Sequence, residues 1–138
     1  NEFGAQAVVV TLDVKKGLLG RSTVRTRNGS HDTKMSPPDA ARAFEAQGAG
    51  ELLLYSIDRD GTWTGFDLKL VEAVSQAAGV PVVATGGAGS LEDIKAAVKQ
   101  AGASAVAIGS MAVFQGKDLG VLIKFPSRKD QDAIFEQD

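Results

Sequence analysis

The chain alternates between short, nearly continuous apolar runs and stretches whose apolar residues recur every three or four positions. Ala5 to Asp13 (AQAVVVTLD), Glu51 to Ser56 (ELLLYS), Pro81 to Thr85 (PVVAT) and Ala105 to Gly109 form the first kind. Such runs suit strands of a parallel sheet covered on both faces. The second kind predicts helices. One spans Ala40 to Gln47, with Ser36 as its cap and Pro37 and Pro38 tolerated in the first turn. Another spans about Phe66 to Ala78, with Phe66, Leu70, Val71, Val74 and Ala78 on one face. A third follows Ser90 and places Leu91, Ile94, Ala97, Val98 and Ala101 on one face. A short helix near Met111 to Phe114 and a terminal one from Ser127 to Phe135 follow.

Three helix-to-strand joints are alike: Gln47-Gly48-Ala49-Gly50-Glu51, Ala78-Gly79-Val80-Pro81 and Ala101-Gly102-Ala103-Ser104. They mark an internal βα repeat with a period of roughly 25 residues. Alternating strands and helices imply the α/β class with a parallel sheet. Four such units are half of an eight-unit (β/α)8 barrel. The polar, glycine-broken segment from Gly17 to Lys34 interrupts the first unit. Ser22 to Thr26 alternates weakly and Asn28-Gly29 is a hairpin turn signal, so a small β-excursion is predicted there. Four βα units also leave two open sheet edges, and two copies could close eight strands. A homodimer of half-barrels is therefore expected if the chain folds alone.

Composition narrows the class without changing this outline. The 138 residues are 43% hydrophobic and 23% charged, which suits one domain spanning 1–138. The net charge of -2, with both signs mixed, argues against a nucleic-acid surface. With no cysteine and the single His31, thiolate and multi-histidine metal sites are excluded within the chain, and no metal or cofactor is expected. No apolar run is long enough to span a bilayer and no signal-peptide pattern appears, so a soluble, cytoplasmic protein is expected. The opening Asn1-Glu2-Phe3-Gly4 lacks a Met, which reads as a cut within, or processing of, a longer protein.

In a βα array the active face lies where the strands' C-terminal ends point. Those ends carry Asp13, then Tyr55, Ser56, Asp58 and Asp60, then Thr85 to Gly89, then Gly109 and Ser110. Asp13 closes an apolar run; a partly desolvated carboxylate there suits proton transfer, although pairing with Lys15 or Lys16 is the simpler reading. Lys15 could meet a negative substrate group or stand at the surface. Asp58 and Asp60 flank Arg59 in a turn, and could bind substrate hydroxyls or shape the turn through local hydrogen bonds. Gly86-Gly87-Ala88-Gly89, followed by Ser90 and Asp93, reads as a glycine-rich turn before a capped helix. It could be a phosphate cradle or a plain tight turn. Gly109 and Ser110 on the next strand end form a second, adjacent loop. Two cooperating loops favour the phosphate reading over the plain turn.

These residues also carry a resemblance. Leu12-Asp13-Val14-Lys15, Gly48-Ala49-Gly50-Glu51-Leu52-Leu53-Leu54, Ser56-Ile57-Asp58-Arg59-Asp60-Gly61-Thr62 and Gly86-Gly87-Ala88-Gly89 stand in an order that resembles the C-terminal half of the cyclase subunit of imidazole glycerol phosphate synthase. With Phe3-Gly4-Ala5-Gln6-Ala7, the resemblance runs from the first residues to about Phe114. It implies a (β/α)8 TIM barrel of histidine biosynthesis, a lyase or cyclase that uses ammonia from a glutamine amidotransferase (glutaminase) partner on a phosphorylated small-molecule substrate. By the same mapping Asp13 is one of two catalytic aspartates, the other lying on a strand this chain lacks. Gly86, Gly87, Gly109 and Ser110, with Thr85, fall at a phosphate site, and Ser56, Asp58, Asp60 and Gly61 fall on the substrate-facing loop. Two departures stand out. Tyr55 replaces the family's small hydroxyl residue. The tail, residues 115–138, diverges and resembles the paralogous branch associated with acetamidino modification of surface-polysaccharide sugars. A non-catalytic, phosphate-binding half-barrel is the remaining alternative.

Overall fold

The apolar runs become neighbours in a single sheet in the computed structural model, which describes residues 4–17, 20–114 and 120–135. A 3-10 turn (Ala5–Ala7) leads into β1 (Val9–Lys16). The hairpin β2 (Ser22–Thr26) and β3 (His31–Asp32) follows, then α1 (Pro37–Ala46), β4 (Glu51–Ser56), α2 (Leu68–Ala77), β5 (Val82–Thr85), α3 (Leu91–Lys99), β6 (Ala105–Ala107), α4 (Ser110–Val113) and α5 (Arg128–Phe135). The chain is thus α/β, with a mixed six-stranded sheet in the order β3-β2-β1-β4-β5-β6. β1, β4, β5 and β6 run parallel to one another, and the pairs β1–β2 and β2–β3 are antiparallel. The four predicted βα units and the hairpin excursion are all present. Phe3, Gln115 to Lys117 and Leu119 lie outside the described residues.

Register assigns every strand residue to a face. Leu12, Leu54, Ala84 and Val106 are paired in one row, and Leu52 and Val82 in the next such row. These residues meet the helices: Leu12, Leu52, Leu54 and Val82 are almost wholly buried, with Val71 and Val74 of α2 and Ile94 and Ala97 of α3. The opposite face carries the rows Thr11–Leu53–Val83–Ala105 and Asp13–Tyr55–Thr85–Ala107. Its residues are half-buried or exposed. The apolar runs predict a sheet covered on both faces; among the described residues the helices cover one.

The first strand differs most from its prediction. It starts at Val9 and continues to Lys16, because β2 pairs with Asp13 to Lys16 and extends the strand past its parallel segment. Asp13 is therefore a mid-strand residue at the junction of parallel and antiparallel pairing. The excursion also covers part of one predicted open edge. Only the N-terminal half of β1 remains bare on that side, and there Val9 is 54% exposed. The hairpin turns through Arg27, Asn28 and Gly29, all at positive φ, which is the backbone the Asn-Gly pair favours.

The helix starts follow their side chains. Ser36 accepts from the Asp39 amide at α1 and Asp67 from the Leu70 amide at α2. Ser90 and Asp93 form a complete capping box at α3. At the other end of the chain Phe114 bridges Val121, and the Lys124 amide donates to the Ala112 carbonyl (2.8 Å), laying the tail beside α4. α5 packs on α3 through the buried Ile134. No helix among the described residues is long and apolar enough to cross a membrane.

Candidate functional site

The loops after β4, β5 and β6 converge at the C-terminal rim of the sheet around a cavity of about 70 Å³. Thr85, Gly86 and Gly87 form one wall, Gly109 and Ser110 another, and Asp60 with Gly61 closes it. That space holds several waters or a small anion. Six of the sequence-derived candidates thus meet at one place although they come from three βα units; with Asp60 the count is seven.

The glycines along this rim have separate physical reasons. Gly86 and Gly87 have φ of 92° and 109°, which side chains rarely adopt. A Cβ on Gly86 would stand 2.6 Å from the Ser56 carbonyl oxygen, and one on Gly87 would collide with the Gly65 carbonyl oxygen. The loop after β5 is pressed against the loop after β4, and the Gly65 amide donates to the Gly87 carbonyl (2.9 Å). Loop packing alone therefore demands glycine at both positions. Gly109 is different. Its φ is ordinary and a Cβ there would meet nothing within 4 Å.

The chain's own Asp93 fills part of the approach to the helix after the glycine-rich turn. Asp93 Oδ2 accepts from the Gly89 amide (3.0 Å) and the Ser90 amide (2.9 Å), while the Asp93 amide donates to Ser90 Oγ. The chain's own carboxylate thus takes the two amides that immediately precede α3. An anion in the cavity would meet Gly86, Gly87, Gly109 and Ser110.

The remaining candidates sit outside the cavity. Asp13 lies on the open face, half-buried, in register with Tyr55 on one side and Arg25 on the other. Two strand spacings, about 10 Å, separate it from Thr85 along the same row. Lys15 is exposed two residues on. Ser56 alternates onto the helix side and is buried there, away from the open face. Asp58 accepts from the Lys16 amide (2.7 Å) and so fastens the end of β1 to the loop after β4. Arg59 donates to the Thr64 carbonyl (3.1 Å) and hydroxyl (3.0 Å), bracing that loop. His31 is exposed on β3. Trp63 lines a larger, mostly apolar cavity of about 480 Å³ with Leu91, Met111 and the tail residues Leu122 and Phe125. Among the described residues no group of three or more His, Asp or Glu could hold a metal ion.

Two side chains acquire roles that spacing does not reveal. The Tyr55 hydroxyl donates to Asp60 Oδ2 (3.0 Å). Burial first, and then this bond and the charges of Asp60 and Asp13, push the phenol above its usual value. Asp67, buried at the start of α2, pairs with Lys16 Nζ at 2.8 Å. Burial works against its charged form, but the Lys16 ammonium and the Leu70 amide outweigh it and hold the carboxyl below the ordinary Asp value. A folded-state value below the unfolded 3.8 means this stability is present above about pH 4 and lost as pH falls through the folded value. Asp67→Ala is expected to cost about 1–2 kcal/mol through the lost cap and to flatten the acid limb of the stability curve. Chemical denaturation between pH 2 and 7, an on-the-order range set by the carboxylate values, checks this; parallel curves for variant and wild type would refute it. The sequence signal for Asp67 is an Asp directly before an amphipathic helix.

Comparison with known proteins adds an independent line. The family model described as "Histidine biosynthesis protein" matches residues 1–118. A Pseudomonas aeruginosa protein named "Putative imidazole glycerol phosphate synthase subunit hisF2" is 47% identical over 96% of this chain and 53% of its own length. The imidazole glycerol phosphate synthase subunit HisF of Alkaliphilus metalliredigens is 46% identical over 80% of the chain and 44% of its own length. Its counterpart in Metallosphaera sedula is 50% identical over 75% of the chain and 41% of its own length. The chain spans about half the length of the curated relatives it matches.

Proposed function

The chain belongs to the histidine biosynthesis protein family, and on that premise we propose that it forms four of the eight βα units of a cyclase barrel of the imidazole glycerol phosphate synthase type. In this reading the open face of the sheet, with Thr11, Asp13, Leu53, Tyr55, Val83 and Thr85, lines the barrel interior. That explains why Leu53, Val83 and Ala105 on the helix-free side are apolar as well: in a barrel both faces are enclosed. Residues 1–138 then belong to one barrel domain, with 115–138 as its divergent tail.

The observation that carries the function is the convergence of the loops after β4, β5 and β6 on one cavity, with Asp13 along the same register row. The reading assigns Gly86, Gly87, Gly109 and Ser110 to one phosphate group of the substrate, and Asp13 to proton transfer at its reacting end. Ammonia comes from a glutamine amidotransferase partner. The protein containing this chain is expected to turn over the phosphorylated histidine-pathway substrate with an ammonium salt in place of the partner. No turnover at saturating ammonium would overturn the assignment.

A second reading rests on the tail. The relatives matched over 96% of the chain, including one from Leptospira interrogans at 43% identity, carry the qualified name, whereas those matched over 80% and 75% carry the plain one. The tail thus sorts with a subset of the family, and its resemblance to the acetamidino branch carries the second reading we propose, an ammonia-dependent modification of surface-polysaccharide sugars. Neighbouring genes separate the two: histidine genes for the first, polysaccharide genes for the second.

A further inference from the structure

Tyr55 occupies a position no other side chain of the site shares. It stands in the register row between Asp13 and Thr85, on the strand between theirs. Its hydroxyl reaches Asp60 five residues on, and Asp60 is the one carboxylate on the wall of the cavity formed with Gly86, Gly87, Gly109 and Ser110. A carboxylate and a phosphate in one small cavity repel each other unless something draws the carboxylate's charge aside. A phenol donating to Asp60 Oδ2 does this: it spreads the charge, and it fixes the carboxylate's orientation on the tyrosine side.

We propose that Tyr55 is a positioning residue of the phosphate site, which holds the Asp60 carboxylate toward the open face so that the cavity beside it admits a phosphate group. The inference rests on the phosphate reading of that cavity and adds to it a residue that touches no phosphate itself. Among the charged groups nearby, Asp13 faces Tyr55 from β1, and Arg25 lies opposite Asp13 and is engaged with Asp32 at 3.4 Å. Asp58 and Arg59 on Asp60's own loop are bound to the Lys16 amide and to Thr64. Tyr55 is the group placed to relieve Asp60.

The test uses inorganic phosphate and the 138-residue chain, whose single tyrosine makes the readout specific. Phosphate affinity is measured by calorimetry for wild type and Tyr55→Phe, with thermal melts as the folding control. In parallel, the chain is labelled with carbon-13 at the tyrosine Cζ, and the one resonance is followed as phosphate is added. We expect Tyr55→Phe to bind phosphate about tenfold more weakly at an unchanged melting temperature, the loss typical of one hydrogen bond to a charged group. We also expect the Cζ resonance of the wild type to move in step with phosphate occupancy, and this measurement needs no variant. Equal affinity of Tyr55→Phe and wild type, or a stationary resonance at saturating phosphate, overturns the inference and leaves the phosphate site standing. Absence of phosphate binding by the wild type overturns both.

Discussion

Asp13→Asn is expected to lower ammonia-dependent turnover by about 10²- to 10⁴-fold, the usual contribution of one general acid or base. The amide keeps the volume and planar shape of the carboxylate but can neither take nor release a proton at neutral pH. Asp13 points to the open face in the row that ends at the cavity wall, so on the proposed reading a substrate held at Gly86 and Gly109 would extend toward it. It is half-buried and takes part in no salt bridge among the described residues, so its replacement should barely change stability. Steady-state kinetics of the whole protein with ammonium, beside a thermal melt, read both effects. A large fall in kcat at near-constant KM and melting temperature is the expected result. Unchanged turnover would remove Asp13 from the mechanism.

The largest expected effect on stability is at Gly87. Alanine there must hold a left-handed backbone and also push away the carbonyl oxygen of Gly65, the residue whose amide bridges to the Gly87 carbonyl. The strained backbone costs about 1–3 kcal/mol, and displacing the bridge brings the total to about 3 kcal/mol or more. For a chain of this size that lowers Tm by roughly 10 °C. Gly109→Ala is the informative counterpart. Its added methyl stands in open space, so stability should change by less than about 0.5 kcal/mol. On the phosphate reading affinity should nevertheless fall, because Gly109 lines the cavity. Thermal melts and phosphate calorimetry on both variants separate the two kinds of glycine. A Gly87→Ala protein that melts like wild type would contradict the loop contact, and a Gly109→Ala protein that binds phosphate normally would contradict the cradle.

Much of the fold was legible because its signals are local. Apolar runs marked β1, β4, β5 and β6, the Asn28-Gly29 pair marked the hairpin, and Ser36, Ser90 and Asp93 marked helix starts through hydrogen bonds spanning three residues. Strand ends were less clear, since β1 continues past Asp13 only because β2 returns to pair with it, a contact between residues distant in sequence. The same distinction holds for the candidate site. Thr85, Gly86 and Gly87 could be read from strand, turn and helix order, and so could Gly109 and Ser110. That Ser56 turns to the helices follows from strand parity. That Asp58 caps β1 and that the Tyr55 hydroxyl reaches Asp60 do not follow from any short pattern.

Sequence by itself determined the α/β class, the four βα units and the rim on which polar residues collect, because periodicity, turn chemistry and helix caps act over a few neighbouring residues. Only the tertiary structure decided which glycines serve packing and which face open space, and which carboxylate shares its cavity with the loops. Those outcomes depend on how closely two separate loops approach, and that distance is set by the packing of strands and helices around them.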